Sequence, residues 1–147
     1  MPAFRSILVP VDGSANSQRA LAYAAYLAEL CHASVGILHV VNLTPVVSAV
    51  SQVNTGAYIP DIVLDDVQES GRAIIHQALQ QVSSTTVAQG FLEIGSPSEV
   101  IVAFARDRGY DVIVMGSRGL GTIKEFFLGS VSNYVLHHAA CPVMVTK

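Results

Sequence analysis

Four short apolar runs recur along the chain, Ser6–Val11 (SILVPV), Val35–Val41 (VGILHVV), Asp111–Met115 (DVIVM) and Pro142–Thr146 (PVMVT), and the less apolar Thr86–Ile94 reads as a further strand between the second and third. Runs that stay apolar on consecutive residues suit strands covered on both faces, the usual state of a parallel sheet. The segments between them read as helices. Ala20, Leu21, Ala24, Leu27, Ala28 and Cys31 fall on one face at helical spacing, a stripe that faces a core. A second helix is signalled by Pro60–Asp61 and continues through Leu64, Val67, Ile74, Ile75, Ala78 and Val82. Gly95-Ser96-Pro97-Ser98-Glu99 starts a third, with Ser96 as cap, Glu99 three residues on and Gly109 past its end. A fourth runs from about Ser130 to His138. The order β-α-β-α-β-α-β-α-β predicts a doubly wound α/β fold, with a parallel sheet covered by helices on both faces. Ligands in such folds sit beyond the C-terminal ends of the strands, which directs attention to Asp12–Ser14 and to the segment after Met115.

At 147 residues the chain is expected to be a single domain over 1–147, long enough to bury roughly 68–70% of its unfolded surface. Apolar residues make up 51% of it without any block of about twenty, so no membrane insertion is expected. Eight basic residues against eleven acidic ones, with no basic run, exclude a nucleic-acid partner. The first residues lack the pattern of a signal peptide, so the expected compartment is the cytoplasm. A mean hydropathy of +0.48 argues for apolar surface hidden against a partner. The closing run Pro142–Thr146 is the natural place for it, because an open apolar edge strand invites pairing with another chain. Cys31 and Cys141 read as buried free thiols, and His32, His39, His76, His137 and His138 have no metal-ligand grouping. Asp61, Asp65, Asp66 and Glu69 read as the solvated face of a helix start. The Val-rich stretch from Asn42 to Ile59 is long for a connection and reads as a lid, an interface or a mobile loop.

Past Met115 come Gly116, Gly119 and Gly129-Ser130, at spacings of three and ten. Glycines directly after a strand let backbone N–H groups approach an anion. A helix starting at Ser130 adds free N–H groups and the positive end of its dipole, and the hydroxyls of Ser130 and Ser132 are further donors. Arg118 and Lys124 supply positive charge between the glycines. Other phosphate motifs fail. Gly116 to Gly121 has the spacing of a Walker A loop, but Thr122 stands in place of its Lys, and no G-x-G-x-x-G follows a strand.

The glycine pattern, the opening ILVPVDGS and the closing CPVMV resemble the universal stress proteins of the ATP-binding type, over about Arg5 to Val145. That resemblance implies an open five-stranded parallel sheet of order 3-2-1-4-5, Rossmann-like and similar to the adenine nucleotide alpha hydrolases, and a homodimer through the last strand. It also implies an ATP site, with Mg²⁺ as its companion. In that site Pro10, Val11, Asp12 and Gly13 border adenine and ribose, Asp12 meeting the ribose or a metal-linked phosphate, and Val41 touches adenine. Met115, Gly116, Arg118 and Gly119 follow the ribose and phosphates, and Gly129, Ser130, Val131 and Ser132 close on the β- and γ-phosphates.

The function expected is nucleotide-dependent regulation in a stress response, exerted on a protein partner that the sequence does not name. No nucleophile and base are grouped and no carboxylate is placed to orient water, so hydrolysis is expected to be slow at most. Two alternatives stand beside it. One is an adenine-nucleotide hydrolase or transferase using Asp12 and Mg²⁺, against which VPVDGS stands where related pyrophosphatases carry S-G-G-x-D-S. The other is a dimeric structural module without nucleotide, against which the intact glycine pattern stands.

Overall fold

A computed structural model describes residues 3–53, 59–118 and 128–147. Five strands, β1 (Ser6–Pro10), β2 (Ser34–Val41), β3 (Ala88–Ile94), β4 (Val112–Gly116) and β5 (Val143–Thr146), form one parallel sheet in the order β3-β2-β1-β4-β5. The helices are α1 (Ala15–Cys31), α2 (Thr44–Val53), α3 (Asp61–Gln80), α4 (Pro97–Asp107) and α5 (Ser130–His138).

The apolar runs work as strands because alternate side chains serve two separate cores. Ile7, Val9, Val35, Ile37, Val112 and Val114 point to one face and meet Ala20, Leu21, Ala24 and Ala28 of α1 and Ala78 of α3. Leu8, Leu38, Ile113 and Met115 point to the other and meet Ile101, Phe104 and Ala105 of α4 and Val135 of α5. Leu8, Leu38 and Ile113 are fully buried, and burying each such side chain is worth about 1.5–3 kcal/mol.

Three local features depart from the sequence reading. The stretch from Asn42 to Ile59 contains α2, so the order carries one helix more than the nine-element pattern. Valines lower helix propensity, yet Val46, Val47, Val50 and Val53 have helical spacing, and Asn42 Oδ1 accepts the Thr44 N–H at 3.1 Å. Ser96 flanks α4 as expected, but its side chain makes no capping hydrogen bond. Cys31 and Cys141 are only partly buried, both as free thiols.

Candidate functional site

The sheet order reverses direction at β1, with β2 on one side and β4 on the other. A cleft of about 310 Å³ opens at the C-terminal ends of these three strands, within the roughly 300–1,000 Å³ usual for small-molecule sites. Pro10, Val11 and Asp12 come from the end of β1, and Met115, Gly116 and Arg118 from the end of β4. Gly129, Ser130, Val131 and Ser132 come from the start of α5. Every described site residue expected within those groups lies on this wall except Gly13. Gly119 and Lys124 lie outside the described residues.

Gly13 and Val41 fall on the opposite face of the sheet. Gly13 faces α3, where a Cβ would stand 3.4 Å from Ile74. Val41 is buried and out of step with the cleft side of β2, because strand side chains alternate. Its carbonyl accepts the Gly95 N–H at 3.0 Å. The structure puts Val40 on the wall instead, together with Leu38, Ser17, Pro97 and Ile101, none of which the sequence reading named. The pairing register accounts for two of them. Pro10 pairs with Leu38 across the β1–β2 register, so the cleft face of β2 carries Leu38 and, two residues on, Val40. Pro97 and Ile101 sit four apart on α4, one turn along the same helical face.

The glycines at the two margins of the loop are there for space. A Cβ on Gly116 would lie 2.9 Å from the backbone carbon of Asn16 in α1. Gly129 has φ −61° and ψ 156°, a conformation open to any residue, yet a Cβ there would stand 3.0 Å from the Ser117 carbonyl oxygen.

Two helix starts beside the cleft are treated in opposite ways. At α1 the Ser14 Oγ accepts the Ser17 N–H at 3.2 Å, and the Ser17 hydroxyl donates to the Ser14 carbonyl at 3.0 Å. The same hydroxyl oxygen accepts the Asp12 N–H at 3.4 Å, and Asp12 Oδ1 accepts the Ser14 N–H at 2.9 Å. His39 Nδ1 lies 2.7 Å from the Val11 carbonyl, and so donates to it. At α5, Gly129 is the cap residue and no side chain caps the helix. The first bond of its ladder runs from the Asn133 N–H to the Gly129 carbonyl at 2.9 Å. The amides of Ser130, Val131 and Ser132 therefore precede the ladder, with the positive end of the helix dipole behind them.

An apolar wall of Leu38, Val40, Pro97 and Ile101 thus faces an uncapped helix start, with Arg118 and Asp12 on the rim. Among the described residues, no three His, Cys, Asp or Glu side chains are grouped to hold a metal. Nor is any helix among them long and apolar enough to cross a membrane. Fold and cleft together define a doubly wound α/β protein with a cleft at the switch point of its sheet.

The chain belongs to the universal stress protein family, whose sequence profile matches residues 3–147. It is 34% identical over 149 residues to the universal stress protein YxiE of Bacillus subtilis, covering 98% of this chain and 99% of that one. The structure of the universal stress protein UspA from Lactobacillus plantarum superposes with a TM-score of 0.74 at 26% identity, over 100% of both chains. That of a universal stress protein in complex with cAMP superposes with a TM-score of 0.73 at 24% identity, over 99% of this chain and 98% of that one.

Proposed function

We propose that this protein binds ATP with Mg²⁺ in the switch-point cleft and acts as a nucleotide-dependent regulator in a stress response. The observation that carries the reading is the uncapped start of α5, which opens on a cleft whose other wall is apolar. A helix start of that kind is complementary to phosphate. The solved relative with cAMP adds an adenine nucleotide bound on the same fold.

The residues present fit the ligand. Leu38, Val40, Pro97 and Ile101 offer an apolar surface to a purine. The amides at the start of α5, the exposed Ser130 hydroxyl and Arg118 offer donors and charge to phosphates. Asp12 is the carboxylate on the wall among the described residues, and Mg²⁺ is commonly held by one or two carboxylates together with substrate phosphates. One Asp12 oxygen already accepts the Ser14 N–H, which orients the carboxylate and leaves its other oxygen for a ribose hydroxyl or a hydrated metal. Hydrolysis is expected to be slow at most.

The same reading pairs two copies along β5. This strand is an edge of the sheet, and Met144 on it is 40% exposed. Met144→Lys is expected to yield a monomer mass by light scattering where the unaltered protein gives a dimer, and equal masses would remove the pairing.

Calorimetric titration of Mg²⁺-ATP into nucleotide-free protein, beside Gly129→Val, tests the nucleotide site. The expected result is micromolar binding that falls by about a hundredfold or more in the variant, a loss of roughly 2.7 kcal/mol. No binding to the unaltered protein would leave the dimeric module. Turnover on the ordinary enzymatic scale of about 1 s⁻¹, abolished by Asp12→Ala, would favour a hydrolase.

A further inference from the structure

Ser117 lies immediately past β4 and is held on both sides. Its N–H donates to the Thr146 carbonyl at 2.7 Å, one step beyond the β4–β5 ladder. Its carbonyl accepts two hydrogen bonds, from the Gly129 N–H at 2.7 Å and from the Ser132 hydroxyl at 2.8 Å. The Ser132 oxygen also lies 3.0 Å from the Gly129 carbonyl. A serine hydroxyl has one hydrogen, and Ser132 is only 2% exposed. That hydrogen is engaged by the Ser117 carbonyl, with the Gly129 carbonyl also in reach, and turning it toward a ligand would give up a buried bond between the start of α5 and the end of β4. Ser130, two residues earlier, is exposed and carries no such commitment.

The geometry points to Ser132 as a positioning residue. With the Gly129 amide it pins the Ser117 carbonyl, and so fixes the start of α5 against the end of β4 with its free amides aimed into the cleft. This inference rests on the reading of that cleft as a nucleotide site. The chemistry it governs is recognition of phosphate, because the apolar wall of Leu38, Val40, Pro97 and Ile101 does not depend on Ser117. Gly129 belongs to the same device. Its α-carbon sits so close to Ser117 that a Cβ would meet the carbonyl oxygen at 3.0 Å and the Ser132 oxygen at 3.4 Å.

The test compares the full chain with Ser132→Ala and Ser132→Cys, the latter keeping much of the volume with a weaker donor. Binding of Mg²⁺-ATP and of adenosine is measured for each, as is hydrogen exchange at the Gly129 amide without ligand. In Ser132→Ala the expected loss is about three- to tenfold for ATP, with adenosine unchanged and Gly129 exchange accelerated. Ser132→Cys is expected to show the same pattern more weakly, and it carries the test should the alanine variant not fold. Unchanged exchange at Gly129 in ligand-free protein would overturn the pinning role, as would equal losses for ATP and adenosine or an unchanged ATP affinity. If the unaltered protein binds neither ligand, the nucleotide reading fails, while the exchange measurement still decides whether Ser132 pins Gly129.

Discussion

The two ends of the sheet handle the same problem, exposed backbone N–H groups, in opposite ways. At the N-terminal end the chain supplies its own anion. Asp111 Oδ2 accepts from the Arg5 N–H at 2.8 Å, the Ser6 N–H at 3.0 Å and the Ser6 hydroxyl at 3.3 Å. The Arg5 N–H bond is the main reason that this carboxyl is held below its ordinary value, with burial opposing it and the Ser6 bonds and Arg5 charge assisting. At the C-terminal end the start of α5 has no such partner among the described side chains, and a cleft stands in front of it. Size does not distinguish the ends. The hollow at the N-terminal end is larger, about 660 Å³ against about 310 Å³, but the exposed Arg5 and Glu29 line it with charges of both signs. Among the described residues the two ends differ in whether a side chain meets the backbone N–H groups, and on the proposed reading that difference, more than volume, selects the C-terminal end.

That contrast can be broken by mutation. The largest stability effect is expected from Gly116→Val, which forces a Cβ onto the backbone of Asn16. Overpacking of this kind costs about 1–3 kcal/mol, read as a lowered urea midpoint, and nucleotide affinity should fall with it. Ser14→Ala comes next, at about 1 kcal/mol for a lost helix cap. The start of α1 then lacks its side-chain cap while the amides at the start of α5 are untouched, so nucleotide affinity should hold within about twofold, roughly 0.4 kcal/mol. Asp111→Asn is the smallest, a partly exposed carboxylate whose interactions solvent screens. Because its folded pKa is lowered, its contribution is fully present above the unfolded value near 3.9 and fades as pH falls through the lower folded value. The variant should therefore lose less stability than the unaltered protein on acidification across that range, with nucleotide affinity at neutral pH unchanged. A parallel pH dependence in the two proteins would show that Asp111 does not act as the internal anion.

Most strands were legible because they are largely apolar on consecutive residues, β4 (Val112–Gly116) most plainly, whereas β3 is interrupted by Gln89 and Glu93 and was the weakest signal. Their order, β3-β2-β1-β4-β5, came from the resemblance carried by the glycine pattern, since spacing along the chain says nothing of neighbours. The helix α2 was hidden by its valines, whose preference for strands masks a helical spacing. In the cleft, residues adjacent in sequence to the glycines were within reach of a motif. Leu38, Val40, Pro97 and Ile101 were not, because pairing register and helix packing bring them there. Val40, and not the expected Val41, lines the cleft: a motif locates the end of a strand, but parity along it decides which side chain faces the cleft.

On the proposed reading the C-terminal end of the sheet, and not the N-terminal end, receives a phosphate-bearing ligand. Backbone amide shifts recorded as Mg²⁺-ATP is added to ¹⁵N-labelled protein test it directly. The largest shifts are expected at Gly116, Ser130, Val131 and Ser132, with Arg5, Ser6 and Asp111 unmoved. Shifts concentrated at Arg5, His32 and Ser34, or none at saturating nucleotide, would contradict it.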